Sequence, residues 1–152
     1  MLSYEDTLTN TGVLDIHPTD KAPIAKALAN AVLTNYYNPK GEYDSTPEYS
    51  GPLYDTVTVS GNTANVTFTH VAEGLMLTEG ETVAELEVRD NEGNWIAATG
   101  ILSGNTVTVS ADGVDTITGV RMGYRNRPIL NLYNTIDGAR GYCASPFVWI
   151  AQ

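Results

Sequence analysis

Leu53-Tyr54-Asp55-Thr56-Val57-Thr58-Val59-Ser60-Gly61-Asn62-Thr63-Ala64-Asn65-Val66-Thr67-Phe68-Thr69 is the stretch that decides the fold class. Ala64, Val66 and Phe68 alternate with Asn65, Thr67 and Thr69, a period of two that puts one set of side chains on an apolar face and the other in water. Leu53, Val57 and Val59 oppose Tyr54, Thr56 and Thr58 less regularly. Ser60-Gly61-Asn62 between the two runs predicts a hairpin. The pattern continues toward the C-terminus, where strands fit Val83–Arg89, Trp95–Leu102, Thr106–Ser110, Thr116–Tyr124 and Phe147–Ala151. Ser103-Gly104-Asn105-Thr106 repeats the turn chemistry of Ser60–Thr63 with no longer repeat around it. Asp90-Asn91-Glu92-Gly93-Asn94 is rich in oxygen ligands but lacks the spacing of a calcium loop, and reads as a hairpin turn. Residues 50–152 are therefore expected to form a mainly β domain, an antiparallel β-sandwich.

Upstream the period changes. Residues 38–52 hold three prolines and two glycines, which marks a linker. Before it, Thr19 or Asp20 can cap a helix that tolerates Pro23 in its first turn, and Ile24, Leu28, Ala31, Val32 and Tyr36 recur at steps of three and four. A short isolated helix is marginal in water, so this apolar stripe needs a cover. The β-domain, a second copy of the chain in a homo-oligomer, or a larger sheet would each serve. Residues 1–17 read as an extended lead-in, and residues 1–40 as a unit separate from the β-domain.

Composition narrows the partners. The chain has 152 residues, 42% of them hydrophobic and 17% charged, which suits a soluble globular protein. A formal net charge of −10 repels a phosphate backbone and an anionic membrane, so neither nucleic acid nor membrane is expected as a partner. Cys143, the single cysteine, excludes an intrachain disulfide framework and reads as a buried structural thiol. Neither a metal site nor another cofactor is indicated. Met1-Leu2-Ser3-Tyr4-Glu5-Asp6 has neither the basic nor the apolar character of a targeting segment, and the compartment is left open.

Chemistry enters at Asp15-Ile16-His17-Pro18. An imidazole near neutral pKa can take the proton of a nucleophilic hydroxyl, and a nearby carboxylate can hold its tautomer. Ile16-His17-Pro18, Asp20-Lys21, Ser50-Gly51-Pro52-Leu53-Tyr54, Phe68-Thr69-His70 with Gly74-Leu75, Val120-Arg121, Asn131-Leu132-Tyr133-Asn134 and Pro146-Phe147 occur in one order. In that order they resemble the C-terminal part of SGNH-type sialate O-acetylesterases, from about residue 12 onward. The resemblance implies that His17 is the catalytic base, that Asp15 orients it, and that the helix is left over from an α/β hydrolase domain. It also implies a missing N-terminal, serine-bearing part as partner, because the family's Gly-Asp-Ser or Gly-Gln-Ser block and oxyanion hole lie upstream of these motifs. The implied substrate is an acetylated sialic acid or another acetylated glycan, and the isolated chain is expected to be inactive. The family commonly places its acid three residues before the histidine; that position here is Leu14, and Asp15 stands two before.

Three arginines complete the candidate sites. Alternation would place Arg121, Arg125 and Arg127 on one face of a strand, where guanidinium groups can bind the carboxylate of an anionic sugar or pair with surface acids. His70, in register with Phe68, is expected as a hydrogen-bonded residue at the core edge, and Asn131–Asn134 as a turn that locks the last strands. Trp95 and Trp149 are expected in the core or on a sheet face, with a sugar-stacking platform as the other option. Two readings rival the sialate esterase: a non-catalytic β-sandwich that binds glycans or docks to another domain, and a fragment of an acetylxylan- or pectin-type acetylesterase.

Overall fold

A computed structural model describes residues 21–38 and 47–152. His17, Asp15 and the caps Thr19 and Asp20 lie outside the described residues. Helix α1 spans Ala22–Val32 and continues as a π-helical turn, Leu33–Tyr37. Eleven strands follow: β1 (Leu53–Ser60), β2 (Thr63–Thr69), β3 (Leu75–Leu77), β4 (Leu86–Arg89), β5 (Trp95–Ala97), β6 (Thr99–Ser103), β7 (Thr106–Ser110), β8 (Gly119–Met122), β9 (Leu132–Ile136), β10 (Ala139–Cys143) and β11 (Phe147–Ile150). They form three antiparallel sheets in the orders β1-β2-β7-β6, β10-β9-β3 and β11-β8-β4-β5. The mainly β, sandwich-like architecture expected from the alternation is present.

One core joins the sheets. Ala64, Val66 and Phe68 of β2 and Val107 and Val109 of β7 face Leu86 and Val88 of β4 and Val120 and Met122 of β8. Phe68 of the first sheet meets Phe147 of β11 edge to face at 6.2 Å, and Phe147 stacks on Tyr54 of β1 at 4.8 Å. Gly100 of β6 sits against Leu86, Val107 and Val83, so close that a Cβ would collide with Leu86; this glycine lets β6 approach β4. The turns follow their sequences. Ser60 pairs with Thr63 and Ser103 with Thr106, and Gly61 and Gly104 have φ of 59° and 58°, the positive angle that a type II′ turn asks of its first central residue.

Strand limits depart from expectation where tertiary contacts override the local pattern. Trp95–Leu102 is not one strand but two, because β5 pairs with β4 while β6 pairs with β7, and the chain changes sheets at Ala98. The strand expected at Thr116–Tyr124 is confined to β8, ending at Met122; Gly123, with φ of 67°, turns the chain away. Asn131–Asn134 is not a turn. Leu132–Asn134 opens β9, the central strand of the three-stranded sheet.

The helix touches the β-unit through polar groups. Asn30 Nδ2 donates to Glu48 O at 3.0 Å, and Thr34 Oγ1 to Pro47 O at 3.4 Å. Its apolar stripe is largely uncovered, with Leu28, Val32 and Tyr36 exposed. Among the described residues no helix is long and apolar enough to cross a membrane.

Candidate functional site

Buried and half-buried polar residues organise the seam between α1 and the β-unit. Asn134, fully excluded from water, donates through Nδ2 to Ser50 O at 2.9 Å and His70 O at 2.8 Å, and its Oδ1 accepts from Tyr142 N at 2.7 Å. A buried amide with all three bonds made ties three separate segments together. Gly51 lies against the Cys143 carbonyl with no room for a Cβ, which explains a glycine at the entry to β1.

His70 follows β2 with φ of 56°, and Ala72 follows with φ of 50°. This left-handed backbone, uncommon for residues with a Cβ, carries the chain from the first sheet to the second and breaks the alternation that would have continued from Phe68. His70 is accordingly half-buried and hydrogen-bonded. Its Nδ1 lies 2.8 Å from Glu48 Oε1, an oxygen that also accepts from the amides of Tyr49 at 2.8 Å and Ser50 at 3.0 Å. The ring meets Tyr49 edge-on, with centroids 5.2 Å apart. A carboxylate that already accepts from two amides fixes Nδ1 as the protonated nitrogen and leaves Nε2 as an acceptor in the neutral ring.

A cleft of about 610 Å³ opens beside this pair, lined from the helix by Lys26, Asn30 and Thr34 and from the β-unit by Tyr49, Glu73, Asp137 and Tyr142. Its size falls in the range of small-molecule sites, roughly 300–1,000 Å³. Asp137-Gly138, with φ of 53° and 69°, is a two-residue type I′ turn between β9 and β10. Glu73 locks that turn, accepting from Asp137 N at 3.0 Å and Gly138 N at 2.9 Å. Burial pushes the Tyr142 phenol up from its ordinary pKa and the Glu48 charge adds to this, against an opposing hydrogen bond from Asn30. The hydroxyl therefore stays protonated at neutral pH.

Arg121 and Arg125 lie elsewhere, on the outer side of the β11-β8-β4-β5 sheet. Arg121 binds Glu87 with two parallel bonds, Nε to Oε2 at 2.6 Å and Nη2 to Oε1 at 3.0 Å. Its guanidinium also lies 4.3 Å from the Trp95 ring centroid and 4.5 Å from that of Tyr124. Trp95 is thus a sheet-face residue. Arg125 pairs with Glu85. Arg125 lies beside Arg121 in a shallow cleft with Glu85, Glu87 and Tyr124, but because β8 ends at Met122 it is the following loop and not strand alternation that brings it there. Phe68-Thr69-His70 marked His70 and Asn131–Asn134 included Asn134, but nothing in the sequence marked Glu48, whose carboxylate binds its own next two amides and an imidazole far along the chain.

No family profile and no curated protein sequence matches the chain. Among solved structures, the chain is similar to a carbohydrate acetylesterase from Xanthomonas citri, with a TM-score of 0.75 and 27% identity over 95% of this chain. The chain spans 31% of that enzyme's length, and this likeness, in fold and sequence together, supports a relation to carbohydrate esterases.

Proposed function

We propose that the chain is part of a carbohydrate O-acetylesterase, to which it brings the general base His17 and a β-sandwich. The likeness to the Xanthomonas citri acetylesterase over nearly the whole chain carries this reading. The serine comes from a hydrolase part beyond these 152 residues, in the same gene product or in a separate chain, since the sequence given holds no Gly-Asp-Ser or Gly-Gln-Ser block. His17 takes the proton of that serine as its oxygen attacks the acetyl carbonyl, then gives it to the departing sugar alcohol; water later releases acetate from the serine. Asp15 orients the imidazole. The exposed apolar stripe of α1 supports docking of the serine-bearing part, and a second copy of the chain is the rival occupant.

For the substrate, acetylated sialic acid is the choice implied by the motif resemblance. The ion pairs of Arg121 and Arg125 favour the other candidate, an acetylated neutral polysaccharide of the xylan type, because those guanidinium groups already hold Glu87 and Glu85. The test is reconstitution: the chain mixed with a serine-bearing hydrolase segment should release acetate, and His17→Ala should lower the rate about a thousandfold or more. Full activity with His17→Ala, or serine-dependent turnover by the chain alone, would refute the assignment. Retained glycan binding with no activity on reconstitution would leave the non-catalytic module as the answer.

A further inference from the structure

We propose that the cleft between α1 and the segment His70–Glu73 is a binding subsite for a neutral sugar, with Nε2 of His70 as its central hydrogen-bond acceptor. The word sugar rests on the esterase reading above; the site rests on geometry. Glu48 is bonded at one oxygen by two amides and by His70 Nδ1, so the ring cannot rotate without breaking a carboxylate contact. The edge of Tyr49 fixes it from the side. Nε2 is then the nitrogen without a partner among the described residues, and an acceptor at that position suits a sugar hydroxyl.

The walls match that ligand. Tyr49, Tyr142 and Ile136 offer apolar surface for the C–H faces of a pyranose, while Lys26 supplies a donor from the helix and the oxygens of Asn30 and Thr34, whose own donors are engaged within the seam, can accept. Three carboxylates, Glu48, Glu73 and Asp137, face one ammonium, Lys26, so the lining repels a carboxylate-bearing sugar whether or not His70 is protonated. The left-handed conformations of His70 and Ala72 fit the same reading. Each costs on the order of 1 kcal/mol or more, and the bond from Asn134 Nδ2 to His70 O holds the first of them in place. That strain aims the ring at Glu48 and the cleft, away from the core.

Titration of the 152-residue chain with xylotetraose and cellotetraose, followed by amide NMR shifts, tests the subsite. Saturable shifts are expected at Tyr49, His70 and Lys26, with no response to N-acetylneuraminic acid. His70→Asn, a residue that adopts left-handed backbone readily, should weaken binding about tenfold. Lys26→Ala, on the exposed helix surface, should weaken it by a smaller factor, and Tyr124→Ala on the far sheet should leave it unchanged. The proposal falls if neither neutral oligosaccharide saturates, if N-acetylneuraminic acid binds as well, or if His70→Asn binds like the wild type. Failure here with acetate release on reconstitution removes the subsite alone; binding here with no acetate release removes the esterase reading alone.

Discussion

Between the β-sheets, Val66, Val88, Val109 and Val120 are wholly excluded from water, whereas Leu28 and Val32 of α1 and the following Leu33, Tyr36 and Tyr37 remain 44–80% exposed. The same chain thus closes one apolar surface and leaves another open. Sheet residues meet partners that the domain itself provides, and the helix is tied down by polar bonds from Asn30 and Thr34. Stability in water should then reside in the sandwich and its polar seam, with the helix stripe contributing little until something covers it.

The seam gives the largest expected effect. Asn134→Ala would leave Ser50 O, His70 O and Tyr142 N without their buried partner, and each lost bond of this kind costs about 1–3 kcal/mol. Urea unfolding should show a loss of about 3–5 kcal/mol. A loss under about 1 kcal/mol would mean that Asn134 does not clamp the three segments.

Next comes the contrast between core and helix. Met122→Ala, at a position 1% exposed, should cost about 2–5 kcal/mol through lost burial and the cavity left behind. Tyr36→Ala, at a position 80% exposed, should change the stability of the isolated chain by less than about 0.5 kcal/mol. It should weaken association with the serine-bearing hydrolase segment. Equal losses for the two variants in the isolated chain would show that the helix stripe is already covered, by a second copy if the stability also rises with protein concentration.

How much of this was legible in the sequence follows from the range of the forces involved. β2 and β7 could be read because alternation is a local signal and both strands are buried on one face. The switch of sheets at Ala98 was hidden, because Trp95–Leu102 carries no charge or proline to mark a break, and the break depends on whether β4 or β7 is the partner. Asn131 looked like a turn residue. Its amide instead ties a loop, donating to Glu79 O and Thr82 O and accepting from Ala84 N, contacts across about half a hundred residues that no local pattern encodes. The acid partners of Arg121 and Arg125 were equally invisible as individuals, though the excess of acids over bases made pairing the simpler expectation.

On the outer sheet face, Arg121 combines a two-bond ion pair with two aromatic contacts, a denser arrangement than the single pair of Arg125. Arg121→Lys keeps the charge but loses the planar fork and its stacking on Trp95 and Tyr124, and should cost about 1–2 kcal/mol. Arg125→Lys, on the exposed side, should cost less than about 0.5 kcal/mol. If the two substitutions cost the same, the aromatic contacts of Arg121 contribute nothing to the fold.

The smallest effect belongs to the hairpin between β4 and β5. Asp90 Oδ1 accepts from Asn94 N at 2.8 Å and Glu92 N at 2.9 Å, and these bonds, that of Asn94 foremost, hold its carboxyl below the usual carboxylate range. A folded pKa below the unfolded one means that the contribution is complete above the unfolded value, near 3.8, and fades as pH falls through the folded one. The backbone amides of Glu92 and Asn94 should therefore shift together in an NMR titration only below that value. In Asp90→Asn, which keeps an acceptor oxygen but cannot titrate, the coupled shift should vanish while the hairpin persists. A shift that survives in Asp90→Asn would place the titrating group elsewhere.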